Sequence, residues 1–276
     1  MSAPSAAVHA TDWFTGAPLR PADYVRGLGA TLVVAPHPDD EVLGCGGVIA
    51  LLRQAQIPVW VIIASDGAAS HPGSLRYPPP ALGALRRAES EAGLSLVGVA
   101  SDQITFLGHP DGAVPRPDAP DGARAVEMAR AALLAVPAVQ TVLLPWRRDP
   151  HDDHRATWAL FTSALDAMRS SARRLEYPIW SRVHPGPDDL PRDAEASTWR
   201  LDASAVGEQK RASILAHRSQ TTALIDDAEI GECLTTDVLE RFFQPWEPFI
   251  DVGEAGQVAS QWGDVGAATT VGKQRP

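Results

Sequence analysis

Two short segments more than a hundred residues apart hold the side chains able to do chemistry: His37-Pro38-Asp39-Asp40-Glu41 and His151-Asp152-Asp153-His154. Together they offer two imidazoles and a carboxylate for one metal ion, with a further carboxylate and a third imidazole to spare. That is the inventory of a metal-dependent hydrolase. Three protein ligands hold a zinc-like ion, an open position carries water, a carboxylate removes its proton, and an imidazole steadies the oxyanion.

In the first segment, His37 and Asp40 are spaced to turn back toward one point as the chain enters a helix, while Asp39 projects to the other side. This division makes His37 and Asp40 ligands and Asp39 the base. The same acids also suit a helix start that complements the dipole and does no chemistry. Likewise, His151 and His154 at i and i+3 match an ordinary solvated helix start. Position favours the metal: both segments follow an apolar run at a strand-to-helix junction, and their combined set leaves a coordination site open.

The elements that must position these residues are legible as an alternation. Apolar runs at 31–35, 59–64, 104–107 and 141–144 read as buried parallel strands. Stretches 41–56, 82–97 and 123–135 are long enough for crossover helices and rich in helix formers. The fold class expected is α/β, Rossmann-like, a mostly parallel open sheet with helices on both faces and an irregular C-terminal part completing the site. Such sheets bind ligands at the carboxyl edge of the strands, where both segments fall. Before the second segment, Asp149 is expected to cap a helix whose first position is Pro150, which places His151 and His154 on one face of the first turn.

The organisation expected is an N-terminal extension over 1–28, one domain over 29–253, and a loose Gly/Ala-rich tail over 254–276. In the extension, Trp13 and Phe14 are expected to pack. Beyond about residue 175 the pattern turns irregular, interrupted by Pro185, Pro187 and Pro191, before a helix over 203–217. Gly44, Gly46 and Gly47 do not spell a dinucleotide loop and suit close packing of helix on sheet.

The chain has 276 residues, 45% of them hydrophobic, enough for a substantial core. Its formal net charge of -10 argues against general affinity for nucleic acid or anionic membrane and favours a small neutral or cationic substrate. Cys45 and Cys233 are the only cysteines, which excludes a disulfide framework and a Cys-rich zinc site and suits a reducing cytoplasm. No stretch approaches the roughly 20 apolar residues of a membrane span, and residues 1–10 lack the pattern of a secretory leader. Oligomeric state is not encoded in any pattern of this kind.

By these motifs the sequence resembles the PIG-L/LmbE family of zinc-dependent N-deacetylases, which act on N-acetylglucosaminyl and related N-acyl amino-sugar compounds. Pro36 to Glu41 matches the family's first signature, and His151 and His154 match the second, with Asp152 where Pro is commoner. Ser65-Asp66-Gly67, Arg86-Arg87 with Glu89, Leu107 to Gly112, and Lys210 to Gln220 extend the similarity over roughly residues 30 to 220.

The resemblance implies a hydrolase of amide C–N bonds. Its zinc ligands are His37, Asp40 and His154, its general base is Asp39, and His151 polarises the carbonyl and steadies the oxyanion. Iron(II) or cobalt also suits such ligands. Arg86, Arg87 and Asp111 are the substrate-binding candidates, against a solvated helix surface for the arginines and a turn former for the aspartate. Trp146 and Trp180 are candidate walls for a sugar ring, and His71, His109 and His184 for the rim. Two other functions compete: a metal-dependent amidase or esterase on a small non-sugar substrate, and a catalytically silent binding protein on the same fold.

Overall fold

The computed structural model describes residues 12–192, 195–228, 230–231 and 233–253; the expectations for 1–11 and for the tail 254–276 lie outside the described residues. After a short first strand, β1 (Leu19–Arg20), the four apolar runs form β2 (Thr31–Ala35), β3 (Val59–Ser65), β4 (Ile104–His109) and β5 (Thr141–Pro145). Strands β2 and β5 are buried at every position, as expected of parallel strands covered on both faces.

Between them run the crossover helices α1 (Asp40–Gln54), α2 (Pro79–Leu96) and α3 (Gly122–Ala135), and after β5 comes α4 (Asp152–Ala167). The alternation of β2 divides the interior. Val33 and Ala35 join a core with α1 and α2, while Leu32 and Val34 join a second core with α3 and α4.

Three strands lie beyond the legible runs: β6 (Arg173–Tyr177), β7 (Ser197–Asp202) and β8 (Trp246–Asp251). The helix expected over 203–217 is shorter, α5 (Gly207–Leu215), and is followed by α6 (Arg218–Thr221) and α7 (Thr236–Phe242). Among the described residues the eight strands form one sheet in the order β1-β7-β8-β6-β5-β2-β3-β4. Pairings are parallel except at β8, which is antiparallel to both β6 and β7. Residues 12–28 are built onto this sheet. β1 pairs with β7, Phe14 is fully buried, and the Arg182 guanidinium, itself buried, donates to Asp12 at 2.9 Å.

From β2 the chain proceeds outward through β3 to β4, then returns to lay β5 on the other side of β2, with Thr31 beside Thr141 and Val33 beside Leu143. The switch point of the sheet therefore lies between β2 and β5, and the loops leaving these strands are the two candidate segments. Adjacent parallel strands bring them together across the sequence.

Helix α1 is held unusually close. A Cβ on Gly44 would stand 2.3 Å from the Tyr177 ring, and one on Gly47 would stand 2.7 Å from Ala203 and 3.0 Å from the Glu247 carboxyl group. The buried Glu247 carboxylate accepts from the backbone N–H groups of Gly47 and Val48, at 2.6 and 2.7 Å, and faces the Lys210 ammonium at 3.0 Å. Glycine here allows close packing, as the sequence suggested.

Candidate metal centre

The second segment departs from its expected local structure. Helix α4 begins at Asp152, not at Pro150, and its N-cap is His151, whose Nδ1 accepts from the Asp153 N–H at 3.1 Å. Asp149 does not cap this helix. Its carboxylate accepts from Ile179 N–H at 3.1 Å and Trp180 N–H at 2.9 Å, tying the segment to the chain after β6. The carboxylate satisfies these buried backbone donors instead, which relocates the helix start.

In the first segment Asp39 has φ 133° and ψ -30°, a backbone conformation L residues rarely adopt. Such strain costs about 1–3 kcal/mol and concentrates at functional sites. It is held by the Asp39 N–H donating to Glu41 at 2.8 Å and by Arg86, which donates to the Pro38 carbonyl at 2.7 Å.

The two segments converge on Asp40. Its Oδ2 lies 3.1 Å from His37 Nδ1 and 3.2 Å from His154 Nε2. Ligands bound at zinc-like distances in a tetrahedron stand about 3.3 Å apart, so Asp40 Oδ2 stands at ligand-to-ligand spacing from each of the two ring nitrogens. The rings of His37, His151 and His154 lie with centroids 4.8 to 5.3 Å apart, and these three residues can converge on one ion. Nε2 of His154 is buried without a hydrogen bond of good geometry, a gap that a metal would fill. The donor set fits a zinc-like ion.

A second layer of carboxylates orients the two imidazoles. His37 Nε2 lies 3.1 Å from Asp153 Oδ2, and Asp153 itself accepts from Gly112 N–H at 2.8 Å and Val114 N–H at 3.0 Å. His154 Nδ1 faces Asp149 Oδ1 at 3.3 Å. Carboxylates beyond ligating histidines fix their tautomers in this way. Neither Asp149 nor Asp153 stood out in the sequence as a partner of a ligand. The signal for Asp153 is its place inside the His-x-x-His segment; Asp149 offered only a capping pattern.

Electrostatics follow the geometry. Burial opposes charge on His37 and His154, yet the surrounding carboxylates prevail, raising His37 well above the usual range and His154 to about 9. Asp40, despite its own burial, is held far below the usual carboxylate range by His154 and His37. Burial pushes Asp39 up to about 8, with Arg86 opposing and Asp40 and Glu41 adding to the shift. His151 drops to about 4 through burial and the neighbouring imidazoles, so it is neutral near pH 7.

A cavity of about 360 Å³ opens on this centre and is lined by His37, Asp39, Asp40, Arg86, Asp111 and His151. Arg86 is almost fully buried, with Nη2 3.3 Å from Asp39 and Nη1 3.0 Å from the Gly67 carbonyl. Asp111 accepts from the Ala69 N–H at 2.9 Å and faces His37 at 3.3 Å; burial would raise it, but His37 holds it near 2.

Arg87 is not brought to the cavity. It is exposed, pairs with Glu91 at 3.2 Å, lies over Phe106, and lines a separate cleft with Ser65 and Asp66. Its position one residue from Arg86 turns it to a different face of α2. Trp180 lines the cavity, whereas Trp146 is wholly buried against Phe14 and Trp246 and donates to the Asp189 carbonyl, so Trp146 belongs to the core. His71 and His109 are buried, and neither they nor His184 line the cavity.

Residues 32–165 match the family model PIG-L: GlcNAc-PI de-N-acetylase. No curated protein matches. Among solved structures, the conserved protein TT1542 from Thermus thermophilus is similar at 25% identity and a TM-score of 0.56, over 79% of this chain and 92% of that one. N,N'-diacetylchitobiose deacetylase from Pyrococcus horikoshii shares the fold at 20% identity and TM-score 0.59, covering 83% and 86% of the two chains. The zinc-inhibited form of teicoplanin deacetylase Orf2 does so at 20% identity and TM-score 0.57, covering 77% and 90%. The matched segment carries both halves of the metal centre, so the similarity to the PIG-L family extends to the site itself.

Proposed function

We propose that this protein is a metal-dependent hydrolase that removes an N-acyl group, acetyl in the simplest case, from an amino sugar or its conjugate. The observation that carries this reading is the meeting of His37, Asp40 and the buried His154 at the floor of a cavity that Asp39 and His151 also line. The family match and the deacetylases among the structural relatives support it.

His37 Nδ1, Asp40 Oδ2 and His154 Nε2 would hold the ion, zinc in the first instance and iron(II) or cobalt by the same donors. When bound, such an ion supplies a water of lowered pKa and a Lewis acid for the acyl oxygen. Asp39, which a cation bound beside it would keep as the carboxylate, takes a proton from the attacking water and returns it to the departing amine, so the amide C–N bond breaks as the acid and the free amine form. Arg86 braces Asp39 and the Pro38 carbonyl for this exchange.

His151 contributes through its tautomer. Because Nδ1 accepts the Asp153 N–H, the neutral ring carries its proton on Nε2, which is left to donate to the developing oxyanion. Asp111, charged at neutral pH, offers an acceptor to sugar hydroxyls. Two unpaired cysteines suit residence in a reducing cytoplasm, and among the described residues no helix is long and apolar enough to cross a membrane.

The direct test combines elemental analysis of untagged protein with primary-amine release from N-acetylglucosamine conjugates. About one metal per chain and release abolished by a chelator are expected. Turnover confined to non-sugar amides or esters would replace the sugar substrate, and metal-free protein inert after zinc addition would overturn the reading.

A further inference from the structure

The cavity over the metal centre has a second character. Beside its polar residues it is lined by Leu43 of α1, Trp180 of the short helix Trp180–Arg182, Leu234, and Val238 of α7. Three of these, Trp180, Leu234 and Val238, are partly buried and all are packed on the larger hydrophobic core, so the wall is braced from behind. Its outer part is tied down as well: Leu234 N–H donates to the Gln220 carbonyl at 2.7 Å, and Thr235 caps α7. The loop between α6 and α7 is fastened at Asp227, which accepts from Ser74 Oγ at 2.7 Å and from the N–H groups of Leu75 and Arg76 at 3.0 Å.

An acetyl group presents one methyl, and a sugar presents mostly hydroxyls. Four apolar side chains, one of them aromatic, are more than that substrate can cover, and an apolar wall left wet forfeits the transfer free energy available to it. We propose that this wall binds an apolar chain or ring carried by the amino-sugar substrate, either as an N-acyl group longer than acetyl or as an alkyl or aryl aglycone. The proposal rests on reading the centre as an amino-sugar N-deacylase. It makes Trp180, Leu234 and Val238 determinants of specificity.

Calorimetric titration of the full-length, metal-bound protein with two homologous series tests it without turnover. One series is N-alkylsulfonyl glucosamines, whose sulfonamide is no acyl substrate; the other is alkyl glycosides of unacylated glucosamine. Each runs from one to eight carbons. Affinity is expected to rise about fourfold per methylene in one series. A rise in the first places the acyl chain on the wall, and a rise in the second places the aglycone there. Leu234→Ser and Val238→Ser together should cut the increment to below about twofold. Flat affinity along both series in the wild-type protein would overturn the proposal. A rising series in a protein that releases no amine from any N-acyl sugar would sink the deacylase reading and leave the apolar subsite standing.

Discussion

Asp153 lies 116 positions along the chain from His37, yet its Oδ2 stands 3.1 Å from the far ring nitrogen of that histidine. With Nε2 committed to this carboxylate, the lone pair of His37 Nδ1 is turned to the side where Asp40 and His154 converge. Replacing Asp153 by Asn should lower metal affinity about 10- to 100-fold, read by competition with a chromogenic chelator. Unchanged affinity would mean that this carboxylate serves only the Gly112 and Val114 amides.

Asp39 and His154 should separate chemistry from metal retention. Asp39→Ala should keep metal content near wild type and lower turnover by about two or more orders of magnitude, the scale of a lost general base. His154→Ala should lose the metal. Full activity in the Asp39 variant would refute the proposed base while leaving the centre intact.

His151→Ala should also retain the metal, because Asp40 and the other two imidazoles remain. Loss of its Nε2 donor to the oxyanion should reduce kcat about 10²- to 10³-fold with a smaller effect on KM. A raised KM with kcat unchanged would assign the side chain to substrate binding.

His217 gives a pH dependence of stability. Fully buried among Arg86, Asp40 and the Glu41 carboxylate at 3.6 Å, it is pushed down to about 3, chiefly by burial and then by Arg86. Below its unfolded pKa of about 6.5, the unfolded chain binds a proton that the folded one refuses, so stability falls with pH. Glu41, raised to about 7 by burial, acts in the opposite sense because the folded state takes its proton first. Comparison with His217→Gln cancels the Glu41 contribution. Between pH 7.5 and 5 the wild type should lose about 2 kcal/mol relative to this variant, measured by urea unfolding; a constant difference would show that the imidazole is charged in the native state.

Gly44 offers a packing test. A methyl group there meets the Tyr177 ring, whose hydroxyl is fixed by donating to the Val34 carbonyl at 2.7 Å. Gly44→Ala should destabilise by about 1–3 kcal/mol and lower the thermal midpoint, and an unchanged midpoint would mean that the helix moves aside without cost.

The parallel half of the sheet was legible because β2, β3 and β5 are buried and therefore nearly all apolar. β6, β7 and β8 were not. Arg173, Arg174 and Glu176 break the apolar run of β6, β7 alternates toward solvent, and β8 carries Glu247 and Pro248. The grouping of His37, Asp39, Asp40, His151 and His154 was readable because residue type and spacing are local and both segments follow neighbouring parallel strands. The supporting carboxylates were not, since what Asp149 and Asp153 touch depends on loops after β6 and β4. Arg86 and Arg87 are indistinguishable as letters, and only the rotation of α2 decides which one reaches the cavity.

Strand β8 closes the chain's described part and sits in the interior of the sheet, between β6 and β7. From it, Glu247 reaches back two hundred residues to the amides of Gly47 and Val48 in the helix that begins at Asp40. Assembly is thus out of step with synthesis. All five motif residues leave the ribosome long before the strand that locks their helix, and β1 and β7 cannot join the sheet until that strand arrives. A nascent chain ending before Trp246 would carry both motif segments without the carboxylate that anchors the helix leaving the first of them.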